Sequence, residues 1–440
     1  MQRVLRRPPG PELDQDLLSI RAAPLAFLDA MLAEYGDVSC HETGGEVVYL
    51  IGRPDLARQV LRDNSANYTK TDTPDESMLR PLLGDGLLTS SGASWARQRR
   101  MCAPAFRRSE VEHFDRVIVA ATTALLDRWQ TAIDAGAAIR VDHDLTALTL
   151  SVLVKVTLGA DLVGIGQGFG AAVDAVNGFI GRYVPGEEAD ADDLARRRAG
   201  YLSAKAFLDA VVHAILAARQ AAGSDQRDLL GAILGSGDEV SASELRDQVL
   251  TLVMAGHETT AKALTWTFYL LDQHQAEREL VHEEVDRVLA GRRPTCADLP
   301  ALPACKRAIA EAMRLYPPVW LISRRALRAD VLGGYDVAAG TLIGISPYVL
   351  HRHPAYWDRP QAYVPARFTT DPAPSHLYLP FGGGTRVCIG QHLAMVEAVL
   401  VLATLAQRIQ LELLPGFAVE PEALVTLRPK NGLMMIPRGR

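Results

Sequence analysis

Phe381-Gly-Gly-Gly-Thr-Arg-Val-Cys388-Ile-Gly390 sets one cysteine among turn-forming glycines, two residues after an arginine and just ahead of a long apolar pattern. Over residues 391–409 apolar side chains recur at helical spacing, with Leu393, Val396, Leu400, Ala403 and Ile409 among them. The spacing predicts Cys388 at a helix N-terminus, where free backbone N–H groups and the positive dipole end favour thiolate over thiol. A lone cysteine is ordinarily a small buried hydrophobe. The fixed spacing of Phe381, Gly384, Arg386, Cys388 and Gly390 before a helix points instead to a mounted thiolate, the kind of donor that ligates haem iron and promotes O–O cleavage.

A second unusual stretch lies upstream. Residues 243–273 are helical in pattern, and about 31 residues of helix span roughly 45 Å, enough to cross a whole globular molecule. Ser241 and Glu244 suit a capping box at its start. The centre reads Val253-Met-Ala-Gly-His-Glu-Thr-Thr-Ala261, which puts glycine, a carboxylate and hydroxyls into an otherwise apolar helix. Glycine and hydroxyl side chains are expected to loosen the backbone ladder there and open a groove. His257-Glu258 is no zinc-protease helix, because position 261 is Ala where a second His is required. The run Gly164-Ile-Gly-Gln-Gly-Phe-Gly170 has the wrong spacing for a dinucleotide loop and reads as a turn between helices. Gly382 to Gly384 lack the Lys-Ser/Thr of a phosphate loop.

Helical patterns also cover residues 111–133, 144–158, 199–222, 276–289 and 304–315, the last stopped by Pro317-Pro318. Short β-branched or alternating runs at 47–51 and 332–346 predict a small sheet region. At 440 residues, length alone suggests two or three domains, but no linker or repeat divides the chain. The expected architecture is therefore mainly α with a small β region: a Pro-rich segment over 1–20, then one large domain over 21–440. A formal charge of −6 excludes a generally basic nucleic-acid binder, with 22% charged and 48% hydrophobic residues typical of a globular core. Five scattered cysteines without a CxxC pair fit a reducing cytoplasm. No apolar run near the N-terminus suits a signal peptide or membrane anchor, so a cytoplasmic protein is expected.

The Phe381 to Gly390 segment matches F-x-x-G-x-R-x-C-x-G, and on it the chain resembles the cytochrome P450 superfamily. Glu311 and Arg314 match the E-x-x-R motif of that family, and Pro365-Ala-Arg367-Phe368 resembles the segment that adds its third member, Arg367. By resemblance these three residues form a buried structural network under the haem loop. Trp95-Ala-Arg-Gln-Arg99 resembles the family's W-x-x-x-R, and Arg324 and Arg386 stand at further matching positions. The resemblance implies that Trp95, Arg99, Arg324 and Arg386 bind the propionates of haem b, with Cys388 as the iron ligand. It implies a single P450 fold with its long central helix crossing the haem.

The same resemblance gives an activity: a monooxygenase that uses O₂ to hydroxylate, epoxidise or couple a mostly apolar small molecule, plausibly in secondary metabolism. Glu258 and Thr259 match the acid and alcohol of A-G-x-E-T, which relay protons. Electrons come from an external ferredoxin or flavodoxin with its reductase, docking where Arg97, Arg100, Arg107 and Arg352 present charge. Leu88, Phe179, Val253, Ala255, Val319, Leu321 and Ile322 are the expected substrate pocket. The alternatives are a peroxide-consuming relative, which tends to lack the acid–alcohol pair, and a non-catalytic haem sensor.

Overall fold

The computed structural model describes residues 6–12, 14–159, 166–182, 191–222, 228–235, 239–369 and 376–440. Its centre is one helix, Ala242–Gln273, started by the Ser241 hydroxyl accepting from the Glu244 amide at 3.1 Å. Only half of the capping box forms, because the Glu244 carboxylate pairs with Arg97 instead. The helix Val141–Leu158 packs along the central one, and the Thr149 hydroxyl donates to the carbonyl of His257 at 2.9 Å. The expected loosening of the ladder does not occur: the helix is unbroken. Gly256 serves the crossing, since a Cβ there would sit 2.8 Å from Leu153. Thr259 and Thr260 donate to the carbonyls of Ala255 and Gly256, four residues back, without breaking the helix.

Helix Gly166–Arg182 corrects the reading of the glycine run as a turn; Gly164 and Ile165 lie outside the described residues. Phe169, Val173, Val176 and Ile180 form an apolar stripe whose burial outweighs the helix penalty of the glycines. Helix Ala191–Ala222 buries Tyr201, Ala204, Leu208, Val212 and Leu216 at the same kind of spacing. Its portion Asp193–Arg219 is, among the described residues, the one stretch long and apolar enough to cross a membrane. Two further patterns end differently from expectation. The helix after Cys388 runs Gln391–Ala406 and Ile409 opens a strand, while 111–114 form short turns ahead of Asp115–Ala135.

The β region is a five-stranded sheet in the order 38–43, 46–51, 342–345, 322–326, 68–69, in which only the 46–51 and 342–345 pair is parallel. A three-stranded sheet joins 139–140, 434–439 and 409–413, and the hairpin Pro421–Ala423 with Leu427–Pro429 reaches towards the central helix. The Trp266 and Trp320 indoles hold this hairpin by donating to the carbonyls of Leu427 and Leu424 at 3.1 and 2.8 Å.

Helix Pro303–Leu315 carries the buried ion network. Arg314 donates to both Glu311 oxygens at 2.8 and 2.9 Å, and the Arg367 Nε and Val364 amide add bonds of 3.0 and 2.8 Å. Both Glu311 and Arg314 are fully buried, and Arg314 also donates to the carbonyls of His351, Pro360 and Ala362. His351 Nε2 in turn accepts from the Leu379 amide at 2.7 Å, two residues before the Phe381 loop. Removing one member strands the other charges in the interior, at about 3–5 kcal/mol. Glu311→Ala is accordingly expected to lower stability by that amount in urea unfolding, or to yield no folded protein; a loss below about 1 kcal/mol would show the network to be dispensable.

Candidate active site

The Cys388 loop is shaped by close contacts. Gly384, at φ +67°, lies against the Leu61 carbonyl so tightly that a Cβ would come within 1.7 Å. The Cys388 amide donates to the Phe381 carbonyl at 2.9 Å, which closes the loop. Gly390 is the N-cap of helix Gln391–Ala406, so Cys388 stands two residues ahead of the cap rather than in the first turn. The Gly390 amide is what reaches the sulfur. Cys388 is an exposed free cysteine, although protein encloses it on its other sides. Burial pushes its thiol above the ordinary value, against the Gly390 amide and the Arg99 guanidinium that pull it down. The dipole alone therefore does not secure the thiolate; a metal cation bound at sulfur would.

Around this loop gather cations that lack counter-ions. Arg386 donates to the Ser90 carbonyl at 2.7 Å and lies over the Trp95 ring at 4.5 Å, joining the loop to helix Gly92–Cys102. Burial, then the charges of Arg324 and Arg99, lower its pKa to about 10. Arg324 is buried on strand Ile322–Ala326, and the bond its side chain makes is to the Ser323 carbonyl. Among the described residues neither Arg99, Arg324 nor Arg386 pairs with a carboxylate. Lys70 belongs to the same cluster, although the sequence reading did not include it. It is buried, bonds the Leu88 carbonyl at 3.1 Å, and has Asp75 at 3.4 Å. Burial lowers its pKa, and Arg324 and Arg386 lower it further.

Four cations against one aspartate need anions, since buried unpaired charge is costly. A haem with two propionates, ligated by the adjacent Cys388, fits this donor set in charge and in chemistry. Arg324→Ala and Lys70→Met are expected to weaken haem retention about tenfold or more, read as the rate of haem loss to apomyoglobin, one lost charge-assisted bond being worth about 1.5–3 kcal/mol. Unchanged loss rates in both would remove the propionates from this cluster.

On the central helix, Ala255 is exposed although it lies mid-helix, and Thr259, one turn on, is partly open. The Thr259 hydroxyl donates to the Ala255 carbonyl at 2.9 Å. Glu258 does not meet Thr259. Its buried carboxylate accepts from Asn177 Nδ2 at 2.6 Å and from the Thr426 hydroxyl at 3.0 Å. Neither partner was legible locally, since Asn177 lies in helix Gly166–Arg182 and Thr426 at the turn of the 421–429 hairpin.

The expected pocket residues divide. Leu88, Phe179, Val319, Leu321 and Ile322 are partly or fully open, and Phe179 stacks on Tyr201 at 4.8 Å. Val253 is a correction: it is packed in the core, because its helix face turns towards 141–158 and 166–182. Val425, at the hairpin tip, and Phe179 pack against the same core cluster, and Leu424 approaches Gly181 so closely that a Cβ there would lie 2.8 Å away. Of the arginines expected at a docking face, Arg100 and Arg107 are exposed. Arg97 is tied to Glu244, and Arg352 is buried against the Tyr348 and Tyr316 rings at 4.1 and 5.4 Å, so it presents no surface charge.

Comparison with known proteins gives the family. A family model described as Cytochrome P450 matches residues 15–436. Cyclooctatin synthase of Streptomyces melanosporofaciens is 35% identical, over 98% of this chain and 95% of that protein. Cyclooctat-9-en-7-ol 5-monooxygenase of the same organism is 34% identical, over 89% of this chain and 86% of its own length. The crystal structure of the cytochrome P450DA heme domain superposes with a TM-score of 0.90 at 26% identity, covering 100% of this chain and 98% of that one. The chain belongs to the cytochrome P450 family and is a haem monooxygenase of that family.

Proposed function

We propose that this monooxygenase holds haem b between Cys388 and the Ala255–Thr259 turn and oxidises a bulky, mostly apolar small molecule in secondary metabolism. The observation that carries the reading is the pairing of an open sulfur, ringed by unpaired cations, with an open hydroxyl-bearing turn on the central helix. Haem, when bound, supplies the oxygen-activating chemistry, and the chain supplies ligand, protons and substrate position. Cys388 donates its sulfur to the metal. Lys70, Arg99, Arg324 and Arg386 fix the propionates. The Thr259 hydroxyl, its proton engaged by the Ala255 carbonyl, keeps lone pairs free to order a water, and Glu258 is the acid that recharges that water.

Apolar walls at Leu88, Leu321, Ile322 and Val425 favour a substrate with few polar groups, as does the kinship to an enzyme named for cyclooctat-9-en-7-ol. Electrons are supplied by an external ferredoxin or flavodoxin with its reductase, in the cytoplasm. Its docking face is the surface around Arg100 and Arg107. In support, Phe106, next to Arg107, lies 3.7 Å from the position a Cβ would take on Gly390, close to the Cys388 loop.

Thr259→Ala separates this reading from peroxide use. The variant is expected to bind substrate and consume NAD(P)H through a surrogate redox chain, while product per NAD(P)H falls severalfold and hydrogen peroxide accounts for the difference. Wild-type coupling in the variant would make Thr259 a packing residue.

A further inference from the structure

About two turns along the central helix from Ala255 lies a polar cavity of about 330 Å³ whose wall includes Asp174, Lys262, Thr146, His143 and Arg140. Two helix faces converge there. On Gly166–Arg182, Asp174 and Asn177 are three residues apart; on the central helix, Glu258 and Lys262 are four apart, so each pair shares a face one turn long. The inner members, Asn177 and Glu258, are bonded at 2.6 Å and buried. The outer members, Asp174 and Lys262, line the cavity. Lys262 in the cavity wall therefore stands one helical turn along the backbone from Glu258.

We propose that this cavity is the proton inlet of the enzyme, with Asp174 as the solvent-side carboxylate that recharges Glu258 and Lys262 as the positioning cation between them. The proposal rests on the reading of Glu258 as the acid and adds where its protons enter.

Several observations separate an inlet from a structural charge cluster. Asp174 is exposed, lines the cavity and makes no ion pair among the described residues, whereas the arginines of the lining and Lys430 are paired. Arg140 pairs with Asp142 at 3.0 Å, Arg428 with Glu422 at 3.0 Å, and Lys430 with Glu420 at 3.4 Å. Lys262 is almost fully buried and donates one long bond, 3.4 Å, to the Thr146 hydroxyl. An ammonium has three protons to place. The cavity that it lines is polar and roomy enough to hold water partners for the other protons.

The charges facing Asp174 are Lys262, Glu258 and His257 from the central helix, and His143 and Arg140 from the neighbouring strand and helix. Burial of the carboxyl raises its pKa and Lys262 opposes the rise, which suits a group that takes up and gives back a proton. Next to Glu258 in sequence, His257 donates from Nδ1 to the Val253 carbonyl at 2.6 Å, and its buried Nε2 has no partner among the described residues.

The transfer moves protons alone. A hydronium ion or buffer acid in the cavity protonates Asp174, the proton passes through water to Glu258 and onward to the Thr259 side, and each carboxylate returns to its starting charge. No electron moves.

The test uses the haem-loaded enzyme and four variants: Asp174→Asn, Asp174→Glu, Lys262→Met and Glu258→Gln. First, the resting protein is acidified by rapid mixing, and the infrared carboxylate band that Glu258→Gln abolishes is followed in time. Asp174→Asn is expected to slow its protonation at least tenfold, and Asp174→Glu to restore it. Second, product formation is measured in H₂O and D₂O. Asp174→Asn should be slower by about tenfold, short of the ~10²–10⁴ of a full general acid because water also reaches Glu258. Its solvent isotope effect should rise, and added acetate, small enough for the cavity, should restore the rate in Asp174→Asn but not in Glu258→Gln. Wild-type infrared and turnover rates in Asp174→Asn, with Glu258→Gln impaired, would overturn the inlet and leave Glu258 as the acid. Wild-type turnover in Glu258→Gln would overturn the acid itself, and the inlet with it.

Discussion

The Glu311 carboxylate is the constraint from which the geometry of this site follows. It takes four donors from two arginines and a backbone amide while fully buried, and the same arginine that it holds reaches the carbonyl of His351. From His351 the order passes to the Leu379 amide, and from there to the Phe381 carbonyl that receives the Cys388 amide. The Tyr378 hydroxyl adds a second tether by donating to the Ala310 carbonyl at 2.7 Å. A buried ion network is weak evidence for stability as such, because desolvation offsets its Coulomb energy. Its effect here is to fix an irregular, proline-studded connection that has no ladder of its own, so that the sulfur arrives at one place.

The second organising fact is a separation of charge. Cations with one aspartate, Asp75, among them collect around Cys388, and the central helix carries a buried carboxylate, Glu258, with two neutral partners. The first arrangement leaves the folded chain short of anions and makes the cofactor a contributor to stability by mass action, since it binds the native state alone. The second leaves Glu258 without a strong counter-ion, as its proposed role in passing protons requires. Thr259 and Glu258 are sequence neighbours, but their side chains leave the helix in directions about 100° apart, so Thr259 meets the open turn while Glu258 meets Asn177 and Thr426.

Much of this was legible in the sequence. The thiolate loop, the Glu311 and Arg314 spacing and the polar centre of a long apolar helix are local patterns, and local patterns survive without a structure. What escaped were placements decided by partners distant in the chain. Val253 was expected at the pocket because it neighbours Ala255, yet its face of the helix belongs to the core. Gly256 answers to Leu153, a hundred residues away in sequence terms, rather than to a groove. Arg352 was counted as surface charge, but two tyrosine rings cover it. Lys70, Asn177 and Thr426 carry no motif, and only the fold brings them to the site. The helix from Gly166 was hidden by its glycines, although the stripe of Phe169, Val173, Val176 and Ile180 marked it.

The account stands on Cys388 as the sulfur that ligates the metal. The ferrous–carbon monoxide absorption spectrum of the wild-type protein, beside those of Cys388→Ser and Cys388→His, tests this most directly. The wild type is predicted to show the red-shifted band of thiolate ligation, and both variants to lose it while Lys70, Arg99, Arg324 and Arg386 still hold the haem. A red-shifted band that survives in either variant would contradict the assignment and move the ligand to another residue.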